Sequence, residues 1–242
     1  NYDDGIPHGV FTDLRATPGL VRNPSGPWGS GFWSVTRLDD LVTVSRDPGT
    51  YSSADGHIQI YDVDPDVRDA RASMIDLDPP IHTRLRRLVS SAFTPRHVQD
   101  YVGDVKRRIA ERLDAMEVTG GGDWVAGVAA PIPIGVICAL MGVPEADHDL
   151  MIEMTDHLVE GTSSAELDPG AYGNTRPLRE LPFNSPAAHG VDEYARRARR
   201  QRLNHPTDDL LSELAHAEVD GERLTETEYA RFFQLMIFAG NE

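Results

Sequence analysis

Hydrophobic positions along this chain recur at helical spacing far more often than at strand spacing. Leu85, Leu88, Val89, Ala92 and Phe93 fall at i, i+3, i+4, i+7 and i+8, one apolar stripe that predicts an amphipathic helix, with Asp78 as its cap and Pro79 in its first turn. Val98, Val102, Val105, Ile109, Leu113 and Met116 repeat by threes and fours from Thr94-Pro95 to the stop at Gly120-Gly121-Gly122. An apolar helix through Ile134 to Met141 follows, then one opened by Pro144 that carries Leu150, Met154 and Leu158. Near the end, Thr225 and Glu228 form a capping box. Tyr229, Phe232, Phe233, Met236 and Gly240 recur behind it, and Leu235, Ile237 and Phe238 widen the apolar surface, which predicts a helix buried nearly all round. Strand-like alternation is confined to Gly31–Thr36, ahead of a short helix from Leu38 to Arg46. The stretches 54–74 and 161–190 are polar and read as loop. The pattern is mainly α with a small β region (α+β).

Charge narrows the partners. Acids outnumber bases 39 to 23, and a net charge of −16 speaks against nucleic-acid or anionic-membrane binding. One cysteine excludes a disulfide framework, and no stretch approaches the roughly 20 apolar residues that span a bilayer. A soluble, cytoplasmic protein without membrane insertion is expected. Against this acidic background, Asp78–Arg96 gathers His82, Arg84, Arg86, Arg87 and Arg96 with no internal carboxylate. His82 and Arg86 lie four apart on an edge of the apolar stripe, whereas Arg84 and Arg87 lie three apart on a more exposed face. A partly buried Arg–His pair needs an anionic partner, and a carboxylate ligand would serve. The plainer reading is an Arg-rich surface helix paired with acids elsewhere.

The run Asp78-Pro79-Pro80-Ile81-His82-Thr83-Arg84-Leu85-Arg86, continuing to Ala92-Phe93-Thr94-Pro95-Arg96, resembles the helix that crosses the proximal side of the haem in bacterial cytochrome P-450 haem-thiolate monooxygenases. The resemblance implies that His82 and Arg86 bond a haem propionate. Phe238-Ala239-Gly240-Asn241-Glu242 resembles the family's oxygen-binding motif, in which an acid is followed by a threonine. Ala239 and Gly240 would then leave room for dioxygen and Glu242 would relay protons, close helix packing being the other reading of the glycine. Pro206–Leu214 likewise resembles the family's Asp-Asp-Leu-Leu helix start.

The same resemblance implies a cytochrome P-450 fold, incomplete in this chain, and a monooxygenase inserting one oxygen atom of dioxygen into a C–H bond of a hydrophobic substrate. A steroid or branched lipid is favoured, with terpenes, fatty acids and polyketides open. Ile58, Ile60, Met74, Ile75 and Phe238 would line the pocket. Electrons would come from NAD(P)H through ferredoxin reductase and a ferredoxin docking on Arg84, Arg87 and Arg96. Cys138 sits in an apolar run unlike the family's iron-ligand loop, so no metal ligand is assigned within the chain. Residues 1–242 are expected to be the N-terminal portion of one catalytic domain, belonging to a longer polypeptide or completed by a second chain. The competing reading is a non-catalytic helical binding module of the same ancestry.

Smaller features take plainer readings. His148 and His157 stand among Asp147, Asp149, Glu153 and Asp156 and read as a solvated acidic helix rather than a metal site. Arg196, Arg197, Arg199, Arg200 and Arg202 read as a solvated face, and Glu193–Arg196 and Glu228–Arg231 as surface ion pairs.

Overall fold

The computed structural model describes residues 5–26, 29–56, 62–90, 93, 99, 101–162 and 167–240. They fall into two compact units, residues 1–82 and 83–242.

In the first unit, α1 (His8–Ala16) leads into β1 (Val21–Asn23), which pairs antiparallel with β2 (Phe32–Ser34) in the register Val21 to Ser34. Gly31 enters β2 at φ 86°, and a Cβ there would lie 2.3 Å from the Asn23 carbonyl oxygen, so the bend requires glycine. The predicted strand is thus present but shorter. Phe32 and Trp33 are both exposed, because a ribbon of three residues per strand covers little surface. The predicted helix is observed as α2 (Leu38–Arg46). The stretch 54–74, expected to be irregular, contains α3 (Pro65–Arg71), which starts on a proline, carries Asp66 in its first turn and ends on Arg68 and Arg71. Those termini suit the helix dipole, and Val67 alone of its apolar side chains is deeply buried, so periodicity gave no warning.

Asp78 corrects the predicted cap. Helix α4 (Ile81–Ser90) starts later, after a cis Pro79-Pro80 bond, and the Asp78 carboxylate turns to the preceding loop. It accepts the Ser52 hydroxyl at 2.5 Å and the backbone N–H groups of Ser53 and Ala54 at 2.9 and 3.3 Å. These donors, the Ser52 hydroxyl foremost, hold its carboxyl below the usual carboxylate range.

In the second unit, α5 (Val102–Thr119) ends, as predicted, at a left-handed Gly120 with φ 75°. Its apolar stripe is only partly covered: Val102, Ile109 and Leu113 are exposed, and Val105 and Met116 are half-buried. Helix α6 (Pro131–Met141) is apolar and contributes Ile134, Cys138 and Met141 to the core. Helix α7 (His148–Thr162) buries Met151, Met154 and Leu158, while Leu150 points outward, one position off the expected stripe. Helix α8 (Ala187–Asn204) begins inside the predicted 161–190 loop, where the Ser185 hydroxyl accepts the Ala187 N–H. Helix α9 (Leu210–His216) is capped by Asp209, whose carboxylate accepts the Ser212 N–H at 2.7 Å. The hairpin β3 (Glu218–Val219) and β4 (Glu222–Arg223) then leads to α10 (Glu226–Ala239).

The core of this unit forms where α8 packs along α10, α7 and α9, and α6 along α7. Ala187, Ala188, Ala195 and Ala198 give α8 a small-residue face, so α10 approaches closely and fills the space with Tyr229, Phe233 and Ile237. Full burial of a side chain such as Phe233 contributes about 2–3 kcal/mol. No helix among the described residues is long and apolar enough to cross a membrane.

Candidate functional site

The chemistry-bearing residues converge on α10, and the sequence fixes how that helix starts. Thr225 Oγ1 accepts the Glu228 N–H at 3.1 Å and Glu228 Oε2 accepts the Thr225 N–H at 2.8 Å, the predicted capping box. The other oxygen of Glu228 accepts from Arg84 of α4, which also lies 3.5 Å from Glu222. Glu226 is held by Arg196 at 2.8 Å and Arg200 at 3.1 Å from α8. Arginines from two helices therefore bind the acidic first turn, where carboxylates are already favoured by the helix dipole.

This arrangement corrects three expectations. Arg84 is half-buried and engaged within the chain, so it is no exposed docking cation. Arg196 pairs with Asp192 and Glu226 rather than with Glu193, and Glu228 pairs with Arg84 rather than with Arg231. The remaining arginines of α8 also work internally. Arg199 donates to the Leu224 carbonyl, Arg197 lies over the Tyr194 ring, and Arg202 donates to Asp209 and the Gly142 carbonyl.

Further along, α10 presents two different faces. Tyr229, Phe233 and Ile237 are fully buried, with the Tyr229 hydroxyl donating to the Leu211 carbonyl. Gly240 belongs to this packed side: a Cβ there would lie 2.8 Å from the side chain of Ile137 on α6. Close helix packing thus accounts for the glycine. Leu235, Met236 and Phe238 are only half-buried and Ala239 is exposed, leaving an open apolar strip along Leu235, Phe238 and Ala239 beside the covered face. The Phe238 ring stacks on Phe183, with centroids 4.2 Å apart. Sequence reasoning missed Phe183, an aromatic in a polar stretch without periodic neighbours.

On α4, Leu85, Leu88 and Val89 are buried as predicted, whereas Phe93, expected in the same stripe, is exposed beyond the helix end and Ala92 lies outside the described residues. His82 is half-buried, and Arg86 and Arg87 are exposed. Among the described residues, no carboxylate lies within ion-pair distance of Arg86 or Arg87, in contrast to Arg84. In the first unit, Met74 is half-buried and Ile75 is exposed. Ile58, Ile60, Arg96 and Glu242 lie outside the described residues.

The histidines of α7 make internal contacts, His148 buried and His157 half-buried. His148 Nε2 lies 3.2 Å from the Val143 carbonyl in the core, and His157 Nδ1 lies 2.7 Å from the Tyr172 hydroxyl. Burial and nearby Glu153 raise the Tyr172 phenol to about 12. Cys138 is fully buried and its thiol is pushed up to about 12 by loss of solvent, the behaviour of a core residue.

No protein-family model matches the chain. Curated relatives do. It is 34% identical over 249 residues to the methyl-branched lipid omega-hydroxylase of Mycobacterium tuberculosis, covering 99% of this chain and 55% of that protein. It is 29% identical over 253 residues to the steroid C26-monooxygenase of the same organism, covering 100% and 55%. Among solved structures, a Mycobacterium marinum cytochrome P450 in complex with pseudoionone superimposes with a TM-score of 0.78 and 34% identity, over 96% of this chain and 56% of that one. The chain belongs to the cytochrome P450 family. A Bacillus subtilis P450 of bacillaene polyketide synthesis matches with a TM-score of 0.76 and 28% identity, over 98% and 55%. The chain spans about 55% of the length of the curated P450 relatives it matches.

The haem that defines cytochromes P450 can be tested against these residues. Its propionates need cations without internal partners, and its face needs an open apolar surface against small side chains. Arg86 and the Leu235–Phe238–Ala239 strip have these properties, whereas Arg84 and Gly240 are committed to other contacts. The residues present therefore fit the group.

Proposed function

We propose that this chain carries the dioxygen-side helix and the propionate-binding helix of a P450 monooxygenase acting on a hydrophobic substrate. The observation that carries this reading is the open strip Leu235–Phe238–Ala239 on a helix that buries Tyr229, Phe233 and Ile237 on another face. When bound, a thiolate-ligated haem iron supplies dioxygen activation, so that one oxygen atom enters a C–H bond. The residues of this chain supply binding and orientation. Arg86 and His82 hold a propionate by charge-assisted hydrogen bonds. Ala239 leaves space beside the helix, while Leu235 and Phe238 exclude water and receive the apolar substrate. Glu242 is assigned the proton relay.

The relatives named for methyl-branched lipids and steroids support a substrate of that kind. Electrons are assigned to a ferredoxin, reduced from NAD(P)H by its reductase. Arg87, exposed and without an ion pair among the described residues, is the residue of the predicted trio that best fits its docking, with Arg96 nine positions on in sequence.

The test is the ferrous–CO difference spectrum of the full-length polypeptide. The absorption band of a thiolate-ligated complex is expected, and Arg86→Ala should lower haem retention while Arg84→Ala leaves it near the parent level. Absence of the band in purified full-length protein supplied with haem would instead favour the non-catalytic binding module.

A further inference from the structure

Where α8 meets the α6–α7 junction and α9, the side chains enclose a cavity of about 80 Å³. Its origin is a mismatch of size. Tyr194, Ala198 and Arg202 stand in one i, i+4 row of α8, and the alanine between two long side chains leaves the hollow. Val143 and Leu211 add apolar lining. Arg202 is already committed, because Asp209 binds it at 2.9 Å and the Gly142 carbonyl accepts from it at 2.7 Å. It forms a fixed, neutralised wall.

Two charges of the lining are not spent in this way. Arg197 is exposed, with its guanidinium 5.0 Å from the centre of the Tyr194 ring, and among the described residues no carboxylate lies within ion-pair distance of it. Gln201, four residues on and also exposed, makes no side-chain hydrogen bond among the described residues. The α6–α7 junction contributes Asp147, one carboxylate oxygen of which accepts the Tyr194 hydroxyl at 2.7 Å. Burial, and then this bond, hold the Tyr194 phenol above its ordinary range, so it stays a donor to the Asp147 carboxylate. The other Asp147 oxygen has no hydrogen bond among the described residues.

We propose that this cavity binds a small zwitterion, its carboxylate on Arg197 and Gln201 and its ammonium on Asp147. A guanidinium and an amide can hold both oxygens of a carboxylate, and the second Asp147 oxygen can accept an ammonium proton. A simple anion would meet Asp147 and a simple cation would meet Arg197, so only a ligand with both charges satisfies the lining. The volume limits its size. At about 10–15 Å³ for each water, a cavity of about 80 Å³ has room for about five to eight waters, which suits an amino acid no larger than alanine. None of these residues belongs to the proposed haem or substrate face.

The experiment titrates the full-length haem-loaded protein with L-alanine, propionate and ethylamine, and reads dissociation constants by ligand-observed NMR. Propionate lacks the ammonium of alanine and ethylamine lacks its carboxylate. Alanine should bind more tightly than either by on the order of tenfold, the scale of one charged hydrogen bond. Arg197→Gln should weaken alanine by a similar factor and leave ethylamine unweakened. Asp147→Asn, whose amide oxygen can still accept the Tyr194 hydroxyl, should weaken alanine and leave propionate unweakened. The retained single-charge ligand in each variant guards against a folding defect. No saturable binding of alanine by the parent protein, or equal affinity for all three ligands, would overturn the site. So would an alanine affinity unchanged in either variant, or a variant that loses all three ligands alike.

Discussion

Two faces of the same helix, α10, differ in what their small residues do. On one face Gly240 is spent on packing, because Ile137 occupies the space a side chain would need. On the other, Ala239 stands open beside Phe238 and Leu235. Neighbouring residues of one motif therefore divide between holding the helix and leaving an open surface. Helix α4 repeats the division, with Arg84 bound to Glu228 and Arg86 without an ion pair among the described residues. A cation or a small residue is thus informative about function only once its partners are counted.

The largest effect that sharpens this contrast should come from Gly240→Ala. The added methyl overpacks against Ile137 and should cost about 1–3 kcal/mol of stability in denaturant unfolding. In a double-mutant cycle, Gly240→Ala should cost less in an Ile137→Ala background, where both Cγ atoms that the new methyl meets are gone. A cost unchanged in that background would break the packing assignment.

Next in size is the clamp on the first turn. Arg84→Ala leaves half-buried Glu228 with its capping role but without its guanidinium, and a charge-assisted hydrogen bond of this kind contributes about 1–2 kcal/mol. The expected result is a lower midpoint of unfolding with haem affinity largely kept, the opposite of Arg86→Ala. Equal loss of haem in both variants would erase the distinction within α4.

The smallest effect concerns the residue that precedes α4. Asp78 has a carboxyl held below its ordinary range by Ser52 and Ser53, so the anchor it provides is fully present above about pH 4 and is lost as pH falls through the lowered value. Amide exchange at Ser53 and Ala54 should therefore speed up, after correction for intrinsic pH dependence, only at acid pH. Asp78→Asn should raise it across the range, with α4 itself little changed, since the carboxylate does not cap it.

Legibility in the sequence followed how local each signal was. The capping box at Thr225–Glu228, the Gly120 stop and the buried stripe of α4 were readable, because caps and periodicity act within a few residues. Helix α3 was not, since its one well-buried apolar residue offers no period and its signal lay in termini alone. The partners of arginines were not either. Arg84 and Glu228 are 144 positions apart, and nothing in sequence links them. Of the proposed site, Phe238, Ala239 and Arg86 were named from motif, whereas the place of Phe183 depends on a left-handed backbone that a Phe-Asn pair does not announce. The role of Gly240 needed Ile137, from a helix roughly a hundred residues earlier in the chain, to be seen in place.

The central claim is that one face of α10 meets the haem and substrate while the other is core. Hydroxyl-radical footprinting of the full-length protein, with and without haem and read residue by residue by mass spectrometry, addresses it most directly. The account predicts that Leu235 and Phe238 are oxidised in the haem-free protein and protected when haem is bound, while Phe233 stays unlabelled in both. Equal labelling of Phe238 with and without haem, or labelling of Phe233 to the same extent as Phe238, would contradict it.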